Sequence, residues 1–137
     1  PGSGKSFLTM NIAVSLAIKD KRVLVIDGDL RHGSTSAYVN SPKLGLSDYL
    51  GGRVSQLSAI IVNDTKYKNL DILPVGTIPP NPTELLFNER LKQVIDSVRT
   101  QYDYVFIDCP PIELVADTQI IEKLADLNYS LKCFLTD

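Results

Sequence analysis

The sequence predicts an α/β layered fold with a mostly parallel sheet. Three observations carry this. Short apolar runs alternate with amphipathic stretches. The runs at 23–26 and 104–107 carry β-branched and aromatic residues without a charge, as strands buried on both faces do. Each of those two runs delivers a carboxylate, Asp27 or Asp108, at its C-terminal end.

The elements follow in order. Residues 7–18 predict a helix, because Leu8, Ile12 and Leu16, and likewise Ala13 and Ala17, recur at spacings of four with no breaker. Lys19-Asp20-Lys21-Arg22 reads as a polar turn, and residues 23–26 form the first strand, ending in Asp27. Residues 31–44, rich in Ser, Gly, Asn and Pro, read as a loop or short helix start. Leu46–Leu50 is a short helix stopped by Gly51-Gly52. Leu70–Leu73 is a second strand, followed by a proline-rich loop over 76–82. Asn81-Pro82-Thr83-Glu84 opens one long helix whose face is lined by Leu85, Leu86, Leu91, Val94, Ile95 and Val98. Tyr104–Asp108 is a third strand, broken by Pro110-Pro111, and residues 117–125 make a further amphipathic helix.

Composition narrows the function. The chain has 137 residues, 44% hydrophobic and 22% charged, enough for the core of one domain. Its net charge of −2 argues against a basic nucleic-acid surface. No apolar run reaches the roughly 18 residues of a membrane span, and no leader-like segment opens the chain. Cys109 and Cys133 lack metal-ligand spacing and suit a reducing compartment.

Three constellations carry chemistry. Pro1-Gly2-Ser3-Gly4-Lys5-Ser6 reads as the second half of a phosphate-binding loop opening a helix. Its glycines let backbone N–H groups close round a phosphate, Lys5 reaches the β/γ-phosphates and Ser6 ligates Mg²⁺. The alternative is a Gly-rich turn capped by Ser6. Such a loop needs a strand before it, so the chain is expected to be a piece of a longer protein: one partial domain over 1–137, truncated at both ends, without its first strand or its C-terminal strands. Second, Asp27-Gly28-Asp29-Leu30-Arg31 puts two acids and an arginine at a strand's carboxyl end, where open α/β sheets bind ligands. A solvated Asp-Gly-Asp turn is the alternative. Third, Asp108 ends a buried strand as a metal-holding acid of a nucleotide site does.

These motifs resemble the Walker A, A′ and B motifs of the bacterial tyrosine kinases (BY-kinases) of capsule and exopolysaccharide export, a branch of the deviant-Walker P-loop ATPases. The segments Gly45-Leu46-Ser47-Asp48-Tyr49-Leu50 and Pro79-Pro80-Asn81-Pro82-Thr83-Glu84-Leu85-Leu86 extend the likeness over about residues 1–126. The resemblance implies a three-layer P-loop NTPase fold and ATP-dependent phosphorylation of tyrosine. It implies that Gly2, Ser3, Gly4, Lys5 and Ser6 bind the phosphates of ATP, and that Ser6, Asp29 and Asp108 organise Mg²⁺. Asp27 would be the base for the tyrosine hydroxyl, and Lys5, Asp29 and Arg31 would complete the catalytic set. As partners it implies a tyrosine-rich tail of a neighbouring subunit and a membrane polysaccharide co-polymerase region, neither present here, in a homo-oligomer at the cytoplasmic face of the inner membrane. Residues 128–137 do not resemble the strand that follows in that family.

Other residues read as bland. His32, the only histidine, reads as a surface residue; Tyr49, Tyr67, Tyr102 and Tyr104 as packing residues; Cys109 as buried filler; Asp117 as a helix N-cap. Two other functions stay open. One is a partition or septum-site ATPase switch of the same superfamily, and the other a nucleotide-binding adaptor without chemistry.

Overall fold

The computed structural model describes residues 2–63, 66–108 and 131–133, with 2–6 and 131–133 as backbone only. Helix α1 (Gly2–Ile18) leads into β1 (Val23–Asp27), then α2 (Leu46–Leu50), β2 (Leu70–Leu73), α3 (Pro82–Leu86), α4 (Glu89–Val98), β3 (Tyr104–Asp108) and β4 (Leu131–Cys133). The sheet order is β2-β1-β3-β4, and all three pairings are parallel. Residues 109–130 lie outside the described part, and with them Cys109, Pro110-Pro111, the helix expected at 117–125, its cap Asp117, and Tyr129. Among the described residues no helix is long and apolar enough to cross a membrane.

Alternation along the strands builds the three layers. On one face Leu24, Ile26, Leu73, Val105 and Ile107 pack under α2, α3 and α4; on the other, Val23, Val25, Leu70, Ile72 and Phe106 pack under α1. The register keeps those faces matched, with Leu24 opposite Val105, Val25 opposite Phe106 and Ile26 opposite Ile107. Apolar burial on both faces is why these strands read as unbroken apolar runs. Tyr49, Tyr67, Tyr102 and Tyr104 are partly buried against these cores, as packing residues should be.

The structure departs from expectation at four places. Helix α1 begins at Gly2, not at residue 7, so Gly2, Ser3, Gly4, Lys5 and Ser6 are its opening turns rather than a loop. Glycine weakens a helix by only about 1 kcal/mol, and the first four N–H groups still lack intrahelical acceptors. Of the two expected stripes α1 buries Ala13 and Ala17, with Met10 beside them, while Leu8 is 53% exposed and Ile12 and Leu16 are half-buried. Small alanines let the helix approach the sheet closely, which bulkier leucines would prevent. The tail carries β4, parallel to β3 through Val105↔Leu131, Phe106↔Lys132 and Ile107↔Cys133, where the sequence suggests no strand. A strand edge with unpaired N–H and C=O groups takes up any extended segment that reaches it.

The fourth departure is the long helix after Asn81, which is two helices. Asn88 leaves helical geometry at φ −81° and ψ 172°, and its side-chain oxygen accepts the Arg90 N–H at 2.8 Å, making it the N-cap of α4. The break has a use. Asn88 Nδ2 donates to the Leu50 carbonyl and Arg90 Nε to the Tyr49 carbonyl, satisfying the C-terminal carbonyls of α2.

Below α2 lies a tight backbone crossing. Gly45 and Gly76 touch, and Gly76 sits at φ +79°. The buried Asp48 carboxylate closes the crossing. It accepts the Gly45 N–H at 2.9 Å, the Thr77 N–H at 3.1 Å, the Thr77 hydroxyl at 2.8 Å, and Arg53 Nε and Nη2 at 3.1 and 2.9 Å. Burial by itself would push this carboxyl up; the donors from Gly45, Thr77 and Arg53 outweigh it and hold it below the usual range.

At Gly76 an added Cβ would run into the Gly45 amide and the Asp48 carboxylate. We expect Gly76→Ala to destabilise the fold by more than the ~1–3 kcal/mol of left-handed strain alone. Urea denaturation measures it, and a loss below ~1 kcal/mol would show that the crossing relaxes freely.

Candidate functional site

The site grows from the sheet. From β1 the chain crosses to β2 on one side, and from β3 it goes to β4 on the other, so β1 and β3 flank a topological switch point. Ligands of open α/β sheets bind outside the carboxyl ends of strands at such a point. Asp27 and Asp108 stand there as direct register partners, both fully buried.

Helix α1 reaches the same edge. The Ala17 carbonyl near its C-terminus accepts from Asn69, just before β2, and its last turn leads directly into β1. Its C-terminus therefore lies at the strand starts and its N-terminus at their carboxyl ends. At ~1.5 Å per residue its 17 residues overreach a five-residue strand of ~3.3 Å per residue. The side chains of Lys5 and Ser6 lie outside the described part.

The turn after β1 is held by its own acids. The Gly28 N–H donates to the Asp108 carbonyl at 2.9 Å, and a Cβ at Gly28 would press on Ile107 and that same carbonyl, which is why glycine stands there. Asp27 Oδ1 accepts the Asp29 N–H at 3.1 Å, while Oδ2 accepts the Ser36 N–H at 2.8 Å and the Ser36 hydroxyl at 2.6 Å. Burial pushes the Asp27 carboxyl up to about 6. The Ser36 and Asp29 hydrogen bonds pull against that, and the neighbouring Asp108 charge adds to it. Asp108 Oδ2 accepts the Thr35 hydroxyl at 2.7 Å.

Asp29 is buried too, and His32 Nδ1 lies 3.2 and 3.1 Å from its two oxygens. His32 is 59% exposed at its side chain, so it is a surface residue that nonetheless leans on the site. Arg31 lines a cleft of ≈70 Å³ with Gly28, Asp29, Leu30, His32, Pro82 and Thr83, room for about two waters. The β1 turn and the start of α3 thus face each other across this cleft.

Of the residues expected to act together, Asp27, Asp29, Arg31 and Asp108 are brought to one sheet edge, and Gly2, Ser3, Gly4, Lys5 and Ser6 contribute the helix end that points there. Sequence reasoning missed Thr35, Ser36 and the His32 contact. The i,i+3 spacing of Asp29 and His32 was visible; nothing in a Ser/Thr-rich loop marks which hydroxyls turn inward. Among the described residues no three or more of His, Cys, Asp and Glu form a metal cage of their own.

Comparison with known proteins agrees with this architecture. The family model described as an AAA domain matches residues 1–126. The tyrosine-protein kinase Etk of Escherichia coli strain K12 is 38% identical over 90% of this chain and 17% of its own length. The solved BceF tyrosine kinase domain is 43% identical, with a TM-score of 0.78, over 91% of this chain and 49% of that one. The septum site-determining protein MinD of Pyrococcus horikoshii OT3, solved with Mg-ADP, is 30% identical with a TM-score of 0.71, over 90% of this chain and 50% of that one. The P-loop ATPase fold and the likeness to bacterial tyrosine kinases expected from the motifs are borne out. The chain spans 16–19% of the curated relatives' length.

The raised Asp27 carboxyl has a consequence for stability. Its folded value of about 6 exceeds 3.8, so the fold favours the protonated form. Stability from this group is complete below pH 3.8 and is lost as pH rises through about 6, a change of about 3 kcal/mol. Asp27→Asn removes the titration. Urea denaturation of both proteins from pH 3.5 to 7 should show the variant gaining on wild type by about that amount. A difference that stays flat with pH would refute the buried, raised carboxyl.

Proposed function

The chain belongs to the AAA-domain family, and from that premise we propose that it is the nucleotide-binding and catalytic part of a protein-tyrosine kinase. It would pass the terminal phosphoryl group of ATP to a tyrosine hydroxyl. The observation that supports this most is the carboxylate pair Asp27 and Asp108 at the switch point, with Asp29 in the adjoining turn.

The donor chemistry fits Mg²⁺. These are hard oxygen ligands, and Mg²⁺ keeps waters and phosphate oxygens in its shell, so it does not require a cage of protein carboxylates. Bound with ATP, the ion would supply charge neutralisation across the phosphates. In this reading Ser6, Asp29 and Asp108 hold it. The N–H groups of Gly2, Ser3 and Gly4 at the start of α1, with the Lys5 ammonium, hold the phosphates. Arg31, beside the cleft, balances the acids. Asp27 takes the proton of the attacking hydroxyl; a carboxyl raised to about 6 suits a base working near neutrality better than an ordinary one. To do so it exchanges one Ser36 hydrogen bond for the tyrosine.

The same reading puts the whole protein at the cytoplasmic face of the inner membrane, joined to a polysaccharide co-polymerase region. As a homo-oligomer it would phosphorylate a neighbour's tyrosine-rich tail and regulate exopolysaccharide or capsule polymerisation and export. A second reading, an ATPase switch that changes its dimerisation on a surface, draws on the likeness to MinD.

The test is phosphotyrosine formation from Mg-ATP on a tyrosine-rich acceptor peptide, beside calorimetric titration with ADP. Lys5→Ala should abolish transfer and weaken ADP. Asp27→Asn should slow transfer about 10²–10⁴-fold while ADP affinity changes little. Parallel losses of transfer and affinity would make Asp27 a metal-site residue. ATP hydrolysis without phosphotyrosine would favour the switch ATPase, and binding without either reaction the adaptor.

A further inference from the structure

We infer that Thr35 is a positioning residue of the site, setting the Asp108 carboxylate for the divalent cation; this rests on the proposed nucleotide reading. Thr35 is completely buried, and its hydroxyl reaches across the fold to Asp108 Oδ2 at 2.7 Å. A hydroxyl in a helical turn ordinarily bonds to a nearby carbonyl of its own segment. This one spans from the segment after β1 to the end of β3. A hydroxyl donating to an ionised carboxylate makes a short, charge-assisted bond and restricts rotation of the carboxyl group.

The backbone that delivers Thr35 is itself pinned. Ser36 N–H and hydroxyl donate to Asp27 Oδ2, and the same hydroxyl accepts the Val75 N–H at 2.8 Å. Gly33 N–H donates to the Asp29 carbonyl at 2.9 Å, and Ser41 N–H to the Ser36 carbonyl at 2.9 Å. The backbone of Thr35 is therefore held between fixed points on both sides, which sets the place from which its hydroxyl meets Asp108. Partners that orient a metal-holding carboxylate commonly account for 10–100-fold in metal affinity.

Calorimetry of ADP binding, in excess Mg²⁺ and in EDTA, tests this without reference to catalysis. For Thr35→Val we expect the Mg²⁺-dependent gain in ADP affinity to fall by about 10–100-fold, with affinity in EDTA unchanged. Thr35→Ser keeps the hydroxyl and should keep the gain. Should Thr35→Val fail to fold, Thr35→Ala carries the same expectation. A folded variant lacking the hydroxyl but retaining the full gain overturns the assignment, as does equal loss in Thr35→Ser. Wild type that binds no nucleotide under either condition overturns the nucleotide reading itself, a result separable from both.

Discussion

The parallel pairing of β1 with β3 is the constraint on which the rest depends. It sets Asp27 opposite Asp108 in register, at the end of strands whose other residues are sealed in apolar layers. Two like charges in a low-dielectric edge cost free energy unless donors meet them. The donors come from one stretch of chain: Asp29 N–H, Thr35 hydroxyl, Ser36 N–H and Ser36 hydroxyl. The segment after β1 is thus ordered by the acids it satisfies, and the acids are oriented by that segment.

Asp27 and Asp48 show how two acids without solvent contact end on opposite sides of the ordinary carboxylate range. At Asp27 burial pushes the carboxyl up, three neutral donors fail to offset it, and the neighbouring Asp108 charge adds to it. Asp48 has donors from Gly45 and Thr77 and a two-pronged guanidinium contact from Arg53, and its carboxyl falls. One acid is suited to exchanging a proton; the other is held toward its charged form. Asp48 holds the loop after β2, which leads to Pro82 and Thr83 on the far wall of the cleft beside Arg31.

Strand and helix bounds were legible wherever both pattern and punctuation spoke. Leu46–Leu50, Leu70–Leu73 and Tyr104–Asp108 are observed as read, because Gly51-Gly52, Pro74 and Asp108 mark their ends. The split at Asn88 was not read, although the step of five from Leu86 to Leu91 breaks the helical phase there and the Asn88-Glu89 pair offers a cap. Periodicity offered both Leu8, Ile12, Leu16 and Ala13, Ala17 for the face of α1; close packing on the sheet took the two alanines and added Met10. At the site, strand-end carboxylates could be found from chain position alone. Thr35 and Ser36 could not, because their partners lie on other strands and their own segment has no periodicity to declare an inside.

The Gly45–Gly76 crossing also bears on how the chain tolerates change in length. It ties off the stretch holding α2 and β2 as a closed loop, clamped at its neck by Asp48. Lengthening a closed loop adds little entropy cost, about 0.6 kcal/mol for a doubling. Ser55 and Gln56 are exposed and lie between Arg53 and Thr77, outside the residues the clamp uses. Extra residues accommodated there would bulge into solvent, leaving the neck, the cleft wall and the carboxylate edge where they are. The neck itself has no such latitude: a shift of one position on either side would replace a glycine at the crossing by a residue with a side chain.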